Sequence, residues 1–408
     1  MRGDPELVVV AAGVAAALHV GKLPVALPVL REALGIGVVE AGFLLSLVQG
    51  AGMTAGLAVG LAADAIGLRR CMAIGLAVLA VAGLAGATVR GADAVPWLLA
   101  LRVVEGVGLL LTALPAPALI RRLRAGRGAE AALGLWGAYM PAGVACALLA
   151  GPWVIGLAGW RAWWIAVALA SLAVAAWLWL AVPPDPRAAS REPAAAGRLA
   201  RTLAAPGPWL LALSFAMYSG QWLAVIGFLP TIYSEAGIAA TTGGLLTALA
   251  AAANGGGNIV AGRLLQRGAS APRLLRIGFA AMALGAWLAA WPIAGIGPFA
   301  TPLRYAAVVA FSGFGGLIPG TLFALSLRLA PDGATVSTTV GWMQQLSALG
   351  QFAGPPLVAV VALASGGWQW SWTVTGACAV AGLLLASGIA ALLGRDSMRA
   401  ASPRAEPR

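Results

Sequence analysis

Residues 160–182, WRAWWIAVALASLAVAAWLWLAV, form one of twelve long apolar stretches that decide the fold class of this chain. In this stretch only Arg161, at its start, carries a charge. About 20 apolar residues are enough for one helix to cross the hydrocarbon core of a membrane. Because a helix satisfies its own backbone hydrogen bonds, such a run in lipid is predicted to be helical. The stretch therefore predicts an all-α polytopic membrane protein.

The composition of the whole chain agrees with this interpretation. Of its 408 residues, 61% are hydrophobic and 10% are charged, and the mean hydropathy is +0.90. Soluble domains have about 25% charged residues, so the composition excludes a cytosolic enzyme, a disordered chain and a nucleic-acid-binding protein. Cys71, Cys146 and Cys378 lie in apolar runs and His19 is the single histidine, so we expect no disulfide framework, metal site or cofactor. No cleaved signal peptide is predicted.

Charges, prolines and glycines divide the apolar sequence into twelve predicted spans. Their limits are residues 7–30, 38–63, 70–89, 96–120, 130–158, 160–182, 208–233, 241–265, 274–296, 302–329, 336–364 and 370–394. The longest hydrophilic connection is rich in proline and arginine and is expected to be a cytoplasmic linker. The expected domains are an N-terminal six-helix bundle (1–182), the linker (183–207), a C-terminal six-helix bundle (208–394) and a cytoplasmic tail (395–408).

Arginine and lysine are distributed unequally between the two ends of the spans. Twenty of the 26 lie at one set of ends, whereas only Arg31, Arg90 and Arg161 lie at the opposite ends. Positive residues concentrate in cytoplasmic connections, so both termini are expected in the cytoplasm, with the protein in the cell inner membrane. The net charge of +12 and the pI near 11 then indicate topology, not nucleic-acid binding.

The two halves of the chain repeat at a fixed offset of 202 residues. The matching pairs are Pro28 and Pro230, Gly35-Ile36 and Gly237-Ile238, Gly42 and Gly244, Gly60 and Gly262, Arg102 and Arg304, and Pro117 and Pro319. An even number of spans separates the members of each pair, so the halves share one orientation. Parallel repeats of this kind predict two pseudo-symmetric six-helix bundles that rock about a site at the membrane midplane.

Two motifs carry a resemblance to a known family. Residues 60–70, GLAADAIGLRR, and residues 102–108, RVVEGVG, resemble the G-x-x-x-D-R-x-G-R-R/K loop and the R-x-x-Q-G-x-G motif of the major facilitator superfamily. Residues 136–143, WGAYMPAG, and the related stretch 345–356 look like the cyanate-permease-like branch. The resemblance implies the major facilitator fold, a transport activity and a cavity lined by spans 1, 4, 7 and 10.

The resemblance also implies a cytoplasmic gate. Ala65 stands where the family usually has a basic residue, and Gln266 replaces the acidic residue in the second-half copy, so we expect a weakened latch. A glycine-proline motif in span 5 is often associated with antiporters. The expected gating residues are Gly60, Asp64, Gly67, Arg69, Arg70, Gly151, Pro152, Gly262 and Arg267.

Ionisable residues inside the spans are expensive, at about 2.5–3.5 kcal/mol each on insertion scales, and are functional hypotheses by default. His19 and Lys22 share one face of span 1, and Arg102 and Glu105 share one face of span 4. We expect Lys22 and Arg102 to attract an anionic group while Glu105 balances them in the empty site. Glu105 or His19 is expected to carry a coupling proton. The alternatives are a purely structural Arg102–Glu105 pair and a hydrogen-bonded packing role for His19.

Neutral polar and aromatic residues complete the expected site. The expected substrate-binding residues are His19, Lys22, Arg102, Glu105, Tyr139, Tyr218, Gln221, Trp222 and Gln345. Helix packing explains several of them equally well. The tryptophan cluster 160–164 and its counterpart 368–372 are expected to be aromatic belts at the membrane surface. Arg304, near a span end, is expected to be an interface anchor.

The sequence thus predicts a secondary active transporter for a small anionic solute, coupled to a proton or a counter-solute. Its expected partners are a small-molecule or ion substrate and the lipid bilayer, with no nucleic acid, and the expected state is a monomer. The alternative is a broad-specificity drug or metabolite exporter that works as a proton antiporter. An intramembrane enzyme or a transport-inactive receptor would need a reactive constellation or a soluble domain, and the sequence shows neither.

Overall fold

The computed structural model of the chain describes residues 4–56, 66–91, 93–123, 136–185, 195–290 and 300–401. All regular structure in these ranges is helical. The twelve long helices are α1 (Pro5–Leu34), α2 (Val38–Gly56), α3 (Leu68–Thr88), α4 (Ala94–Leu123), α5 and α6 (139–158 and 160–181, within Tyr139–Ala181), α7 (Pro206–Glu235), α8 (Ala240–Gln266), α9 (Ala271–Ala290), α10 (Pro302–Leu329), α11 (Val336–Ala364) and α12 (Trp372–Ala401).

Eleven of the described helices are individually long and apolar enough to cross a membrane, and one of these contains two spans. The helix Tyr139–Ala181 has 43 residues, which at 1.5 Å per residue is about 65 Å, twice the thickness of a hydrocarbon core. Gly159 has φ 80° and ψ 169°, a backbone conformation that favours glycine. The chain reverses there, so α5 and α6 are separate spans and the predicted connection at this residue is confirmed.

The helix ends differ from the predicted limits where polar sequence continues a helix or interrupts the linker. Helix α12 runs to Ala401, seven residues past the expected end. The prediction ended the span where the apolar residues stop, whereas the helix continues into the polar residues that follow. A short amphipathic helix, the linker helix Ala195–Ala204, lies in the predicted linker. Residues 57–63, 130–135 and 291–296 of the predicted spans lie outside the described residues.

The two bundles are held together by paired helices from the two halves. Helix α2 packs against α11, where Gln49 donates to Gln351 at 3.0 Å. Helix α5 packs against α8, and a Cβ on Gly244 would lie only 2.7 Å from Pro152 Cγ, so glycine permits the close approach. We call the side where α1 and α7 begin the arginine-rich face. At the opposite face Arg31 on α1 binds Glu235 on α7 at 2.7 Å.

Candidate functional site

Lys22 on α1 and Glu105 on α4 form an ion pair in the interior of the first six helices. Lys22 Nζ donates to Glu105 Oε1, and the two side chains are 0% and 2% exposed. Arg102 Nη1 donates to the other carboxylate oxygen at 2.5 Å. Each oxygen of Glu105 therefore binds one cation, which is the kind of geometry that makes a buried ion pair tolerable. We call His19, Lys22, Arg102 and Glu105 the charged cluster.

Arg102 connects the charged cluster to two neighbouring helices. Its Nε donates to the carbonyl of Leu44 on α2 at 3.0 Å, and its Nη1 also donates to the carbonyl of His19 at 2.8 Å. Its Nη2 is buried and has no hydrogen-bond partner among the described residues. The guanidinium is thus fixed in place on one side and retains an unused donor on the other.

His19 is held in a defined orientation by Ser171 on α6. The imidazole Nε2 lies 2.9 Å from Ser171 Oγ, and that hydroxyl donates to the carbonyl of Val167 at 3.2 Å. Because the hydroxyl proton is used, Ser171 is left as an acceptor, and on this ground we assign the imidazole proton to Nε2. Nδ1 lies 3.3 Å from both Lys22 Nζ and Glu105 Oε1, and with this assignment it accepts from Lys22. The charged cluster therefore holds a neutral histidine, two cations and one carboxylate.

Tryptophans at the start of α6 cover the charged cluster. Trp163 Nε1 donates to the carbonyl of Lys22 at 3.2 Å, and Lys22 Nζ lies 4.9 Å from the centre of the Trp164 ring, within cation–π range. Trp160, Trp163 and Trp164 are each less than 5% exposed. The prediction that these three residues form a surface belt is wrong, because they pack inward against α1 and α3.

The charged cluster lies inside the first bundle, between α1, α4 and α6. Within the described residues, every hydrogen bond made by the side chains of His19 and Lys22 stays in the first six helices. The His19 ring points toward α6 and also approaches Gly83 on α3, away from the second half. The expectation that His19 faces a crevice between the halves is therefore not met in this structure.

The expected residues of the second half form a separate, uncharged group. Tyr218 Oη donates to Asn254 Oδ1 at 2.9 Å, and Trp222 Nε1 donates to Ser312 Oγ at 3.1 Å. Asn254 Nδ2 in turn donates to the carbonyl of Ser312 at 2.8 Å. Gln221 donates to the carbonyl of Met217, and its Oε1 is buried without a partner in the described chain. The structure thus brings Tyr218 and Trp222 together through α8 and α10, apart from the charged cluster.

The two remaining expected binding residues lie at helix contacts. Tyr139 stacks on Trp136 with ring centres 4.2 Å apart, and both rings lie next to Gly13 on α1. Gln345 on α11 donates to the carbonyl of Met53 on α2 at 2.9 Å. Gln345 therefore joins the two halves, whereas Tyr139 packs within the first half.

A carboxylate that sequence reasoning missed, Asp185, organises the arginine-rich face of the first half. It accepts from the backbone N–H groups of Arg69 and Arg70 at 3.0 and 3.1 Å and pairs with Arg122 at 2.7 Å. Burial raises the pKa of Asp185, but these donors outweigh it and hold the pKa below its ordinary value. Arg69 also donates to the carbonyl of Val182 at 2.6 Å. The predicted gating arginines are thus bound to the start of the linker.

The other predicted gating residues are dispersed. Gly67 immediately precedes α3, and Gly151 packs against Val25. Pro152 contacts Gly244 across the two halves. Gly262 and the exposed Arg267 lie near the end of α8. Gly60 and Asp64 lie outside the described residues.

The second half contains a cavity of about 450 Å³ near the opposite face. We call it the C-half cavity. Its described lining residues are Ala224, Val225, Phe228, Leu229, Ile232, Tyr233, Ala236, Ile238, Leu246, Gly285, Ala286, Ala289, Ala290, Arg304, Tyr305, Val308, Phe311, Val358, Trp368, Gln369, Ser371, Trp372 and Thr375. Arg304 therefore lines a cavity, which the expectation of an interface anchor did not include.

Two signals in the sequence could have identified missed residues. Ser171 is the only hydroxyl residue in the apolar stretch 160–182, and a lone polar group at membrane depth normally has a partner. Arg304 repeats Arg102 at the 202-residue offset. No comparable signal marked Asp185, because it lies in a proline-rich connection whose position depends on the packed helices.

Comparison with known proteins decides the family. A profile of the Major Facilitator Superfamily matches residues 9–348. The chain belongs to this superfamily. The cyanate transport protein CynX of Escherichia coli (strain K12) is 26% identical over 368 residues, which are 88% of this chain and 90% of CynX. The sequence resemblance to a cyanate-permease-like branch agrees with this relative.

Solved structures agree on the major facilitator fold. A bacterial homolog of the human lysosomal transporter Spinster, inward-facing and occupied, matches with a TM-score of 0.76 at 17% identity, over 98% of each chain. A D-xylose-proton symporter matches with a TM-score of 0.75 at 15% identity, over 93% of this chain and 95% of that chain. The predicted fold of two six-helix bundles is confirmed, and the chain is a multi-pass membrane transporter, not an enzyme.

Proposed function

We propose that this transporter moves a small anionic solute across the cell inner membrane by alternating access, coupled to a proton or a counter-solute. The observation that carries the proposal is the charged cluster, in which two cations share one carboxylate. With His19 neutral, these side chains leave a net charge of about +1 in a buried place, where an opposite charge is strongly favoured. Such a surplus suits an anion and disfavours a cation.

Glu105 supplies a physical link between the anion and a proton. While its carboxylate is ionised it occupies Lys22 and Arg102 and competes with any other anion. A proton on Glu105 would remove that competition and raise the net positive charge of the cluster. Anion and proton would then bind with positive coupling, which by linkage is reciprocal. We favour cotransport of the two for this reason. The unused donor of Arg102 is the first contact we assign to the solute.

The charged cluster is enclosed between α1, α4 and α6. A solute can therefore reach it only if α1 and α4 move away from α6. We propose that this movement accompanies the exchange between outward-open and inward-open forms. The contacts of Arg31 with Glu235 and of Pro152 with Gly244 join the halves toward the opposite face. We assign that face to the periplasm and the arginine-rich face to the cytoplasm, with both termini there.

We further propose units of residues 1–182 and 208–394, a linker at 183–207 and a tail at 395–408, acting as a monomer. Tyr139, Tyr218, Gln221, Trp222 and Gln345 are proposed to contribute to solute binding as the halves rearrange. We retain Gly67, Arg69, Arg70, Gly151, Pro152, Gly262 and Arg267, together with Gly60 and Asp64, as proposed gating residues. Glu105 is the proposed proton carrier, with His19 as its neighbour.

Flux in proteoliposomes tests the proposal. Because the relative CynX is a cyanate transport protein, labelled cyanate is the first probe, followed by other small monoanions. We expect an inward proton gradient to stimulate uptake. Lys22→Met should lower uptake by more than about tenfold, a loss of about 1.4 kcal/mol or more. Glu105→Gln should leave uptake independent of the proton gradient. Val107→Ala, on the lipid-facing side of α4, is the matched control.

Uptake of small monoanions that Lys22→Met and Glu105→Gln both leave unchanged would overturn the proposal. The alternative is a broad-specificity exporter that exchanges solutes for protons. The packing of Pro152 against Gly244 places the glycine-proline motif at a contact between the halves, and this observation favours the alternative. Accumulation of a lipophilic cation in vesicles with an acidic interior, without flux of small anions, would support that exporter.

A further inference from the structure

A groove on the outside of the second half lies between α9 and α12. Its described lining residues are Ala280, Ala283, Leu284, Trp287, Trp372, Thr373, Gly376, Ala377, Val380 and Leu383. None of these side chains is charged, and only Thr373 carries a hydroxyl. Leu284 and Val380 are each 56% exposed, so the groove opens to the outside of the bundle, where a membrane protein meets lipid. An occupant of this groove would therefore be hydrocarbon.

Two arginines continue the groove toward the arginine-rich face. Arg273 and Arg276 lie in the first two turns of α9 and are exposed. Ile277, Ala280 and Leu284 follow at the spacing of one helix face, so the arginines and the exposed wall of the groove share that face. Neither arginine side chain makes a hydrogen bond or an ion pair within the described residues. The apolar groove thus ends at two cations that are available to an anion.

The neighbouring helices supply no carboxylate to these arginines. Between Glu235 and Asp332 the chain contains no aspartate or glutamate, so α8, α9 and α10 carry none. Asp332 itself pairs with Arg201. On α12 the acidic residue is Asp396, which lies about 20 Å along the helix from Leu383. The positive charge at the end of the groove is therefore not neutralised by these helices.

The length of the groove matches one leaflet of a membrane. At 1.5 Å per residue, the groove residues from Ala280 to Trp287 lie about 6 to 17 Å along α9 from Arg276. One leaflet contributes about 15 Å of hydrocarbon, half of a core of about 30 Å. An acyl chain whose head group lies at the arginines would therefore extend along the whole groove.

We propose that the groove binds an anionic phospholipid of the cytoplasmic leaflet, with one acyl chain between α9 and α12 and its phosphate at Arg273 and Arg276. Guanidinium groups bind phosphate oxygens in pairs of hydrogen bonds, and arginines beside a span attract anionic lipids. Ile277, next to Arg276 and 40% exposed, places these cations at the edge of the hydrocarbon, where a lipid head group lies. The lipid site is separate from the charged cluster, and only the name of the leaflet depends on the orientation proposed above.

Native mass spectrometry of the full chain released from micelles tests the lipid preference. The probes are phosphatidylglycerol and phosphatidylcholine with identical acyl chains. We expect phosphatidylglycerol to bind at least about tenfold more tightly. Arg273→Gln combined with Arg276→Gln should remove this difference and leave the binding of phosphatidylcholine unchanged, which also shows that the groove is intact.

The matched control removes two charges from the same face. Arg263→Gln combined with Arg328→Gln changes exposed arginines of α8 and α10, helices that do not line the groove, and should bind both lipids like the natural chain. Equal loss of phosphatidylglycerol in the two double variants would show a general attraction to the positive face and would overturn the proposal.

Photo-cross-linking locates the acyl chain. Phosphatidylglycerol with a diazirine on one acyl chain should label residues 280–287 and 372–383 of the natural chain. Ala280→Trp should fill the groove and reduce this labelling several-fold, whereas Val260→Trp, at a 44% exposed position on α8, should leave it unchanged. Glycerophosphoglycerol, the head group without chains, should not compete. Labels on other helices alone, or competition by the head group at equal concentration, would refute the assignment.

Discussion

The charged cluster of the first half and the C-half cavity of the second overlap at two positions of the repeat, those of Lys22 and Arg102. At the offset of 202 residues, Lys22 corresponds to Ala224 and Glu105 to Ala307. Ala224 lines the cavity, whereas Lys22 fills the same place with an ammonium group paired to Glu105. The helices of the two halves thus have the same arrangement, and the side chain at this position decides whether it holds a charged group or borders a cavity.

The arginine common to both halves sharpens this comparison. Arg102 is bound to a carboxylate and two backbone carbonyls, whereas Arg304 lines an apolar cavity. A tryptophan lies beside each place, with Trp164 over Lys22 and Trp372 in the cavity wall. The same arginine position therefore serves an internal ion pair in one half and borders a cavity in the other.

The largest expected effect comes from making the first half resemble the second. Glu105→Ala alone should lower the free energy of unfolding by about 3–5 kcal/mol, because two buried cations lose their counter-charge. The double variant Lys22→Ala with Glu105→Ala should be less destabilised than Glu105→Ala alone. Denaturation in detergent micelles measures both. A double variant whose loss equals the sum of the losses of Lys22→Ala and Glu105→Ala would show that the pair is not energetically coupled.

At the arginine-rich face, too, the carboxylate of the first half is more buried and has more partners than the carboxylate of the second half. The side chain of Asp185 is 7% exposed and binds two backbone N–H groups and Arg122, whereas the side chain of Asp332 is 37% exposed and pairs with Arg201. Asp185→Asn should cost about 1–3 kcal/mol, and Asp332→Asn clearly less. Similar losses in the two variants, measured in the same denaturation assay, would remove this difference between the halves.

The pH dependence of stability gives an independent check on Asp185. Its pKa is lowered in the folded protein, so its stabilisation is complete above the ordinary aspartate pKa of about 3.9. The stabilisation is lost as the pH falls through the lower pKa of the folded state. When the pH is lowered from about 5 toward 1, the range over which such carboxylates titrate, the free energy of unfolding should therefore fall further for the natural chain than for the Asp185→Asn variant. Parallel pH profiles would contradict this assignment.

A smaller effect is expected from one hydroxyl in each half. Ser171→Ala removes the Nε2 partner of His19, and Ser312→Ala removes the acceptor of Trp222. Each should cost about 1 kcal/mol, the usual net value of one hydrogen bond. Only Ser171→Ala should also displace the pH profile of cyanate uptake, since only that hydroxyl orients the proposed proton-linked cluster. Equal displacement by both variants would argue against a special role of the first half.

The smallest effect is expected at the ion pair that joins the halves. The side chains of Arg31 and Glu235 are 25% and 46% exposed, and exposed pairs contribute about 0–1 kcal/mol. Arg31→Gln should change stability within that range, and the change should diminish at high ionic strength. A larger loss that persists in salt would indicate that this contact is shielded from solvent.

The helical framework could be predicted from the sequence because each apolar run is long enough to span a membrane. The reversal at Gly159 followed from a glycine. The grouping of Lys22 with Glu105 followed from the family resemblance, which implies one cavity lined by spans 1 and 4. The direction in which His19 points did not follow, because spacing fixes a face relative to its own helix and not relative to neighbouring helices. Whether His19 and its neighbours bind a solute stays a prediction.

The C-half cavity could not be predicted for a different reason. Its wall includes small residues such as Gly285, Ala286 and Ala289, which are common throughout this chain. Small residues produce a close helix contact in one place, as at Gly244, and empty space in another. Only the packed helices decide between the two outcomes. The same holds for Trp163 and Trp164, whose sequence suits a membrane surface but which pack inward.

Asp185 also shortens the connection between the first bundle and the linker helix Ala195–Ala204. The carboxylate fastens the chain to α3 and α4, so the described anchor nearest to Ala195 is this residue and not the end of α6. Nine residues separate it from Ala195, a distance of at most about 35 Å when fully extended. If Asp185 were released, the connection to Ala195 would begin three residues earlier, at Val182, and its fully extended length would increase by about 10 Å. One side chain therefore sets how far the bundles can swing apart.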